Sequence, residues 1–145
     1  MWVYKNSETF GVPVGAIGYI YLITNKLDNR IYIGRKMLTS TRKKVLSKKE
    51  KLLPENSRKK FKRETKETNW QNYWGSCAEL TEDIKRLGQE NFTREILAFL
   101  NTKTDVSYYE TWYQIKYDVL FEPSYNRHIA NTKFFKGKVT AHEPS

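Results

Sequence analysis

Cysteine and histidine are scarce in this chain of 145 residues, which has one cysteine, Cys77, and two histidines, His128 and His142. A lone cysteine cannot form an internal disulfide, and this number of Cys and His side chains is too small for a typical zinc site. Any catalytic metal is therefore expected to be held by oxygen ligands. Because no histidine is near Cys77 in the sequence, we interpret it as a small, partly buried thiol rather than a nucleophile.

Long apolar runs are also missing. No segment approaches the roughly 20 apolar residues that a bilayer span requires, and the first residues lack the apolar stretch of a signal peptide. The length is that of about one domain, and 39% hydrophobic and 14% aromatic residues are enough to form a core. We therefore expect a single folded domain in the cytoplasm, without a membrane partner.

Positive charge is what the sequence has in excess, with a formal net charge of +10. Residues 35–66 contain 14 basic and 3 acidic side chains, a net +11, so the rest of the chain is nearly neutral at −1. A block of like charge is usually an interaction surface for a polyanion, which favours nucleic acid as the partner. A solvated loop and an acidic membrane surface are the alternatives. The residues predicted to contact the substrate are Arg35, Lys36, Lys43, Lys44, Arg58, Lys59, Lys60, Lys62 and Arg63.

A β-hairpin is predicted near the start of the chain. Residues 18–24 and 30–34 are rich in β-branched and aromatic side chains and flank a polar turn. Successive side chains of a strand point to opposite faces, so the aliphatic residues share one face of the hairpin. Tyr21 and Tyr32 are therefore expected to share the other face.

Later segments predict two helices and a third strand. Ser76–Glu79 has the pattern of a capping box, and the helix that follows is expected to stop at Gly88. Residues 92–100 fit the third strand. Ser107–Glu110 is a second candidate capping box, at or within a helix that runs to about Leu120.

The order of several motifs resembles that of the GIY-YIG nuclease superfamily. Gly18-Tyr-Ile-Tyr21 followed by Tyr32-Ile-Gly34 resembles the paired signature of the superfamily. Arg42 lies eight positions after Gly34, where the family usually carries an arginine on its first helix. Glu110 follows the third strand, and Pro123-Ser-Tyr-Asn126 resembles the motif that closes the nuclease core. Trp74-Gly-Ser76 and the stretch around residues 87–97 are similar to phage-type stand-alone and homing members.

The resemblance implies a fold and a division of the chain. The fold class is α+β, with a small three-stranded antiparallel sheet flanked by helices. Residues 17–127 are the nuclease domain and carry a long basic insertion at about 43–66. Residues 1–16 read as an N-terminal arm with a short edge strand at Met1–Tyr4, and residues 128–145 as a short tail. The implied setting is a bacterial or phage-infected cell.

Roles for individual residues also follow from the resemblance. Glu110 would hold Mg²⁺ or Mn²⁺ through oxygen. Tyr21 would assist the attacking water and Tyr32 would position the reacting phosphate, while Asn126 would hold the shape of the site or contact the phosphate. A phenol has an ordinary pKa near 10, so a tyrosine base needs help from a cation, for which Lys36 is a candidate.

An arginine is expected to grip the scissile phosphate, because its planar fork matches phosphate oxygens and stays charged. Spacing favours Arg42, but Arg35, Arg58 and Arg63 are also available. Some homing members carry a histidine after this arginine, and no histidine lies between Gly34 and Glu110. The identity of the general base therefore stays open.

The sequence thus predicts an endonuclease that uses a divalent metal to hydrolyse DNA, most simply double-stranded DNA, with the basic insertion gripping the backbone. Two other interpretations stay open, a binder that has lost catalysis and a nuclease of structured RNA, because phosphate contacts carry no sugar information by themselves. The protein would act as a monomer or a homodimer. Trp70, Tyr73 and Trp74 either stack on bases or pack around a glycine turn.

Overall fold

The computed structural model of the protein describes residues 1–53 and 60–140. Six strands and three α-helices follow one another along these ranges: β1 (Trp2–Tyr4), β2 (Gly18–Asn25), β3 (Ile31–Met37), β4 (Thr39–Val45), α1 (Lys48–Lys51), β5 (Phe61–Glu67), α2 (Ala78–Leu87), β6 (Phe92–Leu100) and α3 (Lys103–Lys116).

The central sheet has four strands in the order β1-β6-β2-β3. Strand β2 pairs antiparallel with both β3 and β6, as the predicted three-stranded sheet requires. The prediction of only three, antiparallel strands was wrong, since β1 also joins the sheet, where it pairs in parallel with β6 and makes the sheet mixed. Trp2 explains this pairing, because the indole is only 4% exposed and fills the core beside Tyr19. The edge strand expected at Met1–Tyr4 is thereby confirmed.

Alternation along β2 divides the core between the two faces of the sheet. Tyr19 and Tyr21 pack on one face with Leu80 and Ile84 of α2. The aliphatic side chains lie on the other face, where Val106 of α3 covers them. The predicted arrangement of the two faces is confirmed, and the sheet lies between α2 and α3.

Both long helices were predicted, but their first residues were placed wrongly. Helix α2 ends before Gly88 as expected, yet it begins after Cys77, whose side chain makes no capping bond. Helix α3 begins earlier than predicted, after Thr102, whose hydroxyl accepts a hydrogen bond from the Asp105 backbone at 3.1 Å. As a consequence Glu110 lies two turns inside α3, and the helix stops at Lys116.

The basic segment forms a separate two-stranded hairpin. Strands β4 and β5 pair antiparallel from Thr39↔Glu67 to Val45↔Phe61. At the base of the hairpin, the Thr68 hydroxyl donates a hydrogen bond to the Met37 carbonyl at 2.6 Å, which ties β5 to the end of β3.

Candidate active site

Tyr21 of β2 and Tyr32 of β3 meet over Gly34, which lies on β3. Tyr21 pairs with Gly34 in the β2–β3 register, and the two phenol rings have centroids 6.1 Å apart. A Cβ at Gly34 would lie 2.5 Å from the Tyr21 hydroxyl oxygen and 3.1 Å from the Tyr32 ring. The expectation that these two tyrosines share a face is therefore confirmed, and glycine is required for their close approach.

The loop before α2 covers the same two rings. Gly75, at a φ of +92°, comes close enough that a Cβ there would lie 3.4 Å from the Tyr21 hydroxyl. Arg94 of β6 holds this loop, because its Nη1 donates to the Tyr73 carbonyl at 2.8 Å and its guanidinium lies 4.1 Å from the Trp74 ring. Trp70 is buried, with its carbonyl accepting a bond from the Trp2 indole at 2.8 Å. These contacts favour packing over base stacking for the loop aromatics.

Burial keeps both phenols protonated at neutral pH. It raises the pKa of Tyr21 well above 10, and repulsion from Tyr32 and a hydrogen bond with Tyr73 act in the same direction. Burial also raises the pKa of Tyr32, opposed by a hydrogen bond with Ser76. The Lys36 ammonium lies 4.2 Å from the centre of the Tyr73 ring, which in turn packs against Tyr21 at a centroid distance of 5.8 Å, so one side chain separates this cation from Tyr21.

Glu110 presents a carboxylate from α3 that is 9% exposed as a residue. Burial raises the pKa of this carboxyl, while Arg35 and a hydrogen bond from Asn131 oppose the increase. Arg35 Nε lies 3.6 Å from Glu110 Oε1, and Arg35 Nη1 donates to the Ser107 hydroxyl at 2.7 Å. The guanidinium is thus aligned beside the carboxylate by two residues of the same helix.

Tyr32 and Glu110 face an open cavity of about 240 Å³, whereas Arg35 lines a second cavity with Ser107. Its lining includes Tyr32, Glu110, Asn126 and His128. Tyr21 lies behind Tyr32 and is 1% exposed. The structure therefore brings four predicted residues, the two tyrosines, the glutamate and the asparagine, into one region.

Asn126 has both polar atoms committed to the backbone of β3. Its Oδ1 accepts a hydrogen bond from Ile33 N at 3.0 Å, and its Nδ2 donates to Ile33 O at 2.9 Å. Gln114 Nε2 donates to the same carbonyl at 2.9 Å. Of the two roles expected for Asn126, these bonds favour fixing the shape of the site directly beside Gly34.

Arg42 does not lie where the resemblance would place it. It occupies β4 rather than a helix, opposite Glu64 in the β4–β5 hairpin. The helical expectation was wrong because the chain after Gly34 continues as β3 and then β4. The arginine beside Glu110 is instead Arg35.

The remaining residues that were predicted to contact the substrate fall into three groups. Lys36 lies on β3 with its ammonium over Tyr73. Four basic residues lie on the strands of the β4–β5 hairpin and one immediately before β5: Lys43, Lys44, Lys62, Arg63 and Lys60. Arg58 and Lys59 fall outside the described residues.

His128 is the main residue that sequence reasoning missed. It was assigned to the tail, yet it lines the cavity and lies near enough to Glu110 to affect the pKa of that carboxyl. Its ring is 5.8 Å from that of Phe135, and a β-bridge joins the two residues. The available signal was its position two residues after Asn126, since the motif that fixes Asn126 must bring its neighbours to the same cavity.

The donors at this site fit a hydrated divalent cation. No group of three or more His, Cys, Asp or Glu side chains in the described ranges is close enough to cage a metal. Mg²⁺ usually keeps several waters and binds one or two carboxylates together with substrate phosphates. A single buried carboxylate at the wall of an open cavity has that chemistry, and Glu110 is the residue that would hold the ion.

The comparison with known families identifies one match. The family model described as "Putative endonuclease segE, GIY-YIG domain" matches residues 2–135. Neither the curated proteins nor the solved structures contain a match to the chain. Among the residues described, no helix has the length and apolar character needed to cross a membrane.

Proposed function

Since the chain belongs to the GIY-YIG endonuclease family represented by segE, we propose that it cleaves DNA phosphodiester bonds with the help of a divalent metal. The observation that carries this proposal is that Tyr32 and the Glu110 carboxylate line one open cavity, with Tyr21 directly behind Tyr32 and the Arg35 guanidinium beside Glu110. Mg²⁺ or Mn²⁺ bound at Glu110 would stabilise the negative charge that develops on the phosphate.

Arg35 is the residue we assign to the scissile phosphate. Its Nη1 is held by Ser107 and its Nε faces Glu110, so the guanidinium is oriented before the substrate arrives. A planar guanidinium stabilises the charge of a phosphate oxygen without changing its own protonation. This assignment replaces Arg42 as the first candidate.

The two phenols act as hydrogen-bond donors in this proposal. Burial raises the pKa of both, so each carries its proton at neutral pH and can donate to the phosphate or to the attacking water. The proton of that water passes to the His128 imidazole, which lines the cavity, as long as Tyr21 keeps its own proton. Tyr21 could accept it only as a phenolate, after a nearby cation has lowered its pKa and its own proton has left to solvent. Comparing Tyr21→Phe with His128→Ala distinguishes the two acceptors.

The proposal is tested by incubating the full chain with supercoiled plasmid and with a structured RNA, in Mg²⁺ and in EDTA. We expect Mg²⁺-dependent cleavage of the plasmid, a loss of at least 10²-fold in Glu110→Gln, and no change in Glu82→Gln on the exposed side of α2. Cleavage of the RNA but not of the plasmid would show that the substrate is RNA rather than DNA. Binding without any cleavage would reduce the protein to a nucleic-acid binder.

A further inference from the structure

The β4–β5 hairpin has two unlike faces. Residues paired across an antiparallel ladder project to the same side, so the register assigns each side chain to a face. The open face consists of Thr39, Thr41, Lys43, Val45, Phe61, Arg63, Thr65 and Glu67, with Thr39 and Glu67 at the base of the hairpin. The braced face consists of Ser40, Arg42, Lys44, Lys62, Glu64 and Lys66.

Cations of the braced face are partly neutralised within the chain. Lys62 Nζ lies 2.6 Å from Glu50 Oε2 of α1, and Lys44 Nζ lies 3.8 Å from Glu64 Oε1. Lys62 and Glu64 are only half exposed, whereas their β5 neighbours on the open face are exposed. Helix α1 is therefore tied to one side of the hairpin by an ion pair.

The two cations of the open face, Lys43 and Arg63, lack such an ion pair among the described residues. Lys43 stands directly opposite Arg63, and like charges in that position destabilise a hairpin. Within residues 1–53 and 60–140, neither side chain forms an ion pair. The Thr41 and Thr65 hydroxyls meet at 3.0 Å beside this pair, and Val45 and Phe61 beyond it are 64% and 51% exposed. A polyanion bound here would relieve the repulsion.

The dimensions of the hairpin suit one kind of groove. Two paired strands of seven residues extend about 23 Å at roughly 3.3 Å per residue. The major groove of B-form DNA, about 12 Å wide, admits a two-stranded β-ribbon, whereas the major groove of A-form RNA is too narrow and deep for side chains to read. The Thr68 bond to Met37 ties the base of the ribbon to the sheet that carries the active site.

We propose that the β4–β5 hairpin enters the major groove of double-stranded DNA with its open face toward the base pairs. The proposal rests on the proposed function and specifies its substrate as B-form duplex. Arg63 has the fork that pairs with the O6 and N7 atoms of guanine, and Lys43 supplies a second cation. Val45 and Phe61 provide apolar contact for thymine methyl groups. This face would therefore read the DNA sequence, and the residues of the cavity would carry out the cleavage.

Two double variants with equal loss of charge test the assignment of the faces. Lys43→Ala/Arg63→Ala removes two charges from the open face, and Lys44→Ala/Lys66→Ala removes two from the braced face. Binding of the full chain to a DNA duplex is measured in EDTA by fluorescence anisotropy over a range of salt. We expect the open-face variant to lose at least tenfold in affinity, because Arg63 no longer reaches guanine, and the braced-face variant to lose less. Equal losses in the two variants would overturn the proposal.

Insertion into the major groove is tested by comparing DNA with RNA duplexes and by competition with two groove-binding compounds. We expect the DNA duplex to bind at least tenfold more tightly than an RNA duplex of the same sequence, and methyl green, which occupies the major groove, to compete where netropsin in the minor groove does not. Equal affinity for the two duplexes, or competition by netropsin alone, would contradict insertion. Cleavage is scored separately with Glu110→Gln. If the protein binds through the open face but never cleaves, the result would support this inference and contradict the proposed function.

Discussion

At the scale of single residues, the site depends on the absence of a side chain at Gly34. Tyr21 occupies the space that a Cβ would need, with its hydroxyl oxygen 2.5 Å from that position. Tyr21 is also surrounded by Trp2, Tyr73 and Tyr32, at ring-centroid distances of 5.6 to 6.1 Å. Because the ring is enclosed on several sides, it cannot move away at little cost.

Gly34→Ala should therefore destabilise the fold and displace the Tyr21 phenol. Overpacking of this kind costs about 1 to 3 kcal/mol. We expect that decrease in the free energy of unfolding in urea, together with loss of plasmid cleavage. Gly11→Ala is the matched control, because nothing lies within 4 Å of the Cβ it would add. A fully stable and active Gly34→Ala variant would show that Tyr21 need not occupy its present position.

Tyr21→Phe separates chemistry from packing. The variant keeps the ring and loses only the hydroxyl, so we expect at least a 10²-fold decrease in cleavage rate with a small change in stability. Tyr19→Phe is the matched control on the same strand face, since the Tyr19 hydroxyl donates to the Trp70 carbonyl at 3.2 Å. Comparable cleavage rates in the two variants would show that the Tyr21 hydroxyl takes no part in the reaction.

Sequence reasoning placed some site residues well and misplaced others for identifiable reasons. The period of a strand is enough to put Tyr21 and Tyr32 on one face. Counting from Gly34 to Arg42 assumed a helix, and the count has no meaning when the chain continues as a strand. The role of Arg35 depends on Ser107 and Glu110, which are more than 70 positions away, and no local pattern encodes that contact.

At the scale of elements, one ion-pair cluster fastens α2 to the turn before β3. Arg30 Nη2 lies 2.7 Å from Asp83 Oδ2, and the Tyr125 hydroxyl donates to the same oxygen at 2.7 Å. The Arg30 guanidinium also lies 4.4 Å from the centre of the Tyr125 ring. Since Tyr125 adjoins Asn126, this cluster also supports the asparagine that fixes β3.

The cluster predicts a pH dependence of stability. The Tyr125 hydrogen bond, with the nearby Arg30 and Arg86, lowers the pKa of the Asp83 carboxyl below 3.8. A lowered pKa contributes stability above the unfolded value, which is lost as the pH falls through the folded value. Asp83→Asn should cost about 2 kcal/mol at neutral pH, and the cost should shrink in acid below pH 3.8.

Urea unfolding of the wild type and Asp83→Asn at neutral and acid pH measures this difference. Glu82→Gln at the exposed neighbouring position is the control and should leave stability unchanged at both pH values. A cost for Asp83→Asn that stays constant down to the lowest pH would show that the ionised carboxylate is not the stabilising form.

Helices and strands were predicted at the right positions where the sequence pattern was strong, and the predicted start of a helix was displaced where two capping signals competed. The strands around Tyr21 and along residues 92–100 follow from β-branched and aromatic runs. For α3, Thr102-Lys-Thr-Asp105 and Ser107–Glu110 both have the spacing of a capping box, and only the first lies at the helix start. In the basic segment, the many lysines masked the strand-like alternation of threonine, valine and phenylalanine, and the hairpin was therefore not predicted.

At the scale of the whole molecule, binding and chemistry are assigned to different structures. The central sheet with α2 and α3 carries the cavity, and the β4–β5 hairpin carries much of the net charge. Arg42 pairs with Glu64, so replacing residues 43–63 with Asn-Gly would leave these two residues joined by a two-residue turn. The replacement removes ten basic and two acidic residues and lowers the net charge from +10 to +2.

This shortened protein should keep its folded core and its chemistry while losing its hold on DNA. We expect unchanged unfolding of the core, a flatter salt dependence of binding, and cleavage that needs low salt or high protein concentration. Circular dichroism, anisotropy and plasmid cleavage measure the three properties. An unchanged salt slope would show that the basic segment does not bind the backbone.

The parallel pairing of β1 with β6 has a consequence for the newborn protein on the ribosome. Trp2 packs against Tyr21 at a centroid distance of 5.6 Å, yet its strand finds a partner only when Arg94–Ile96 have been synthesised. The aromatic cluster around Tyr21 therefore stays incomplete until most of β6 has been translated.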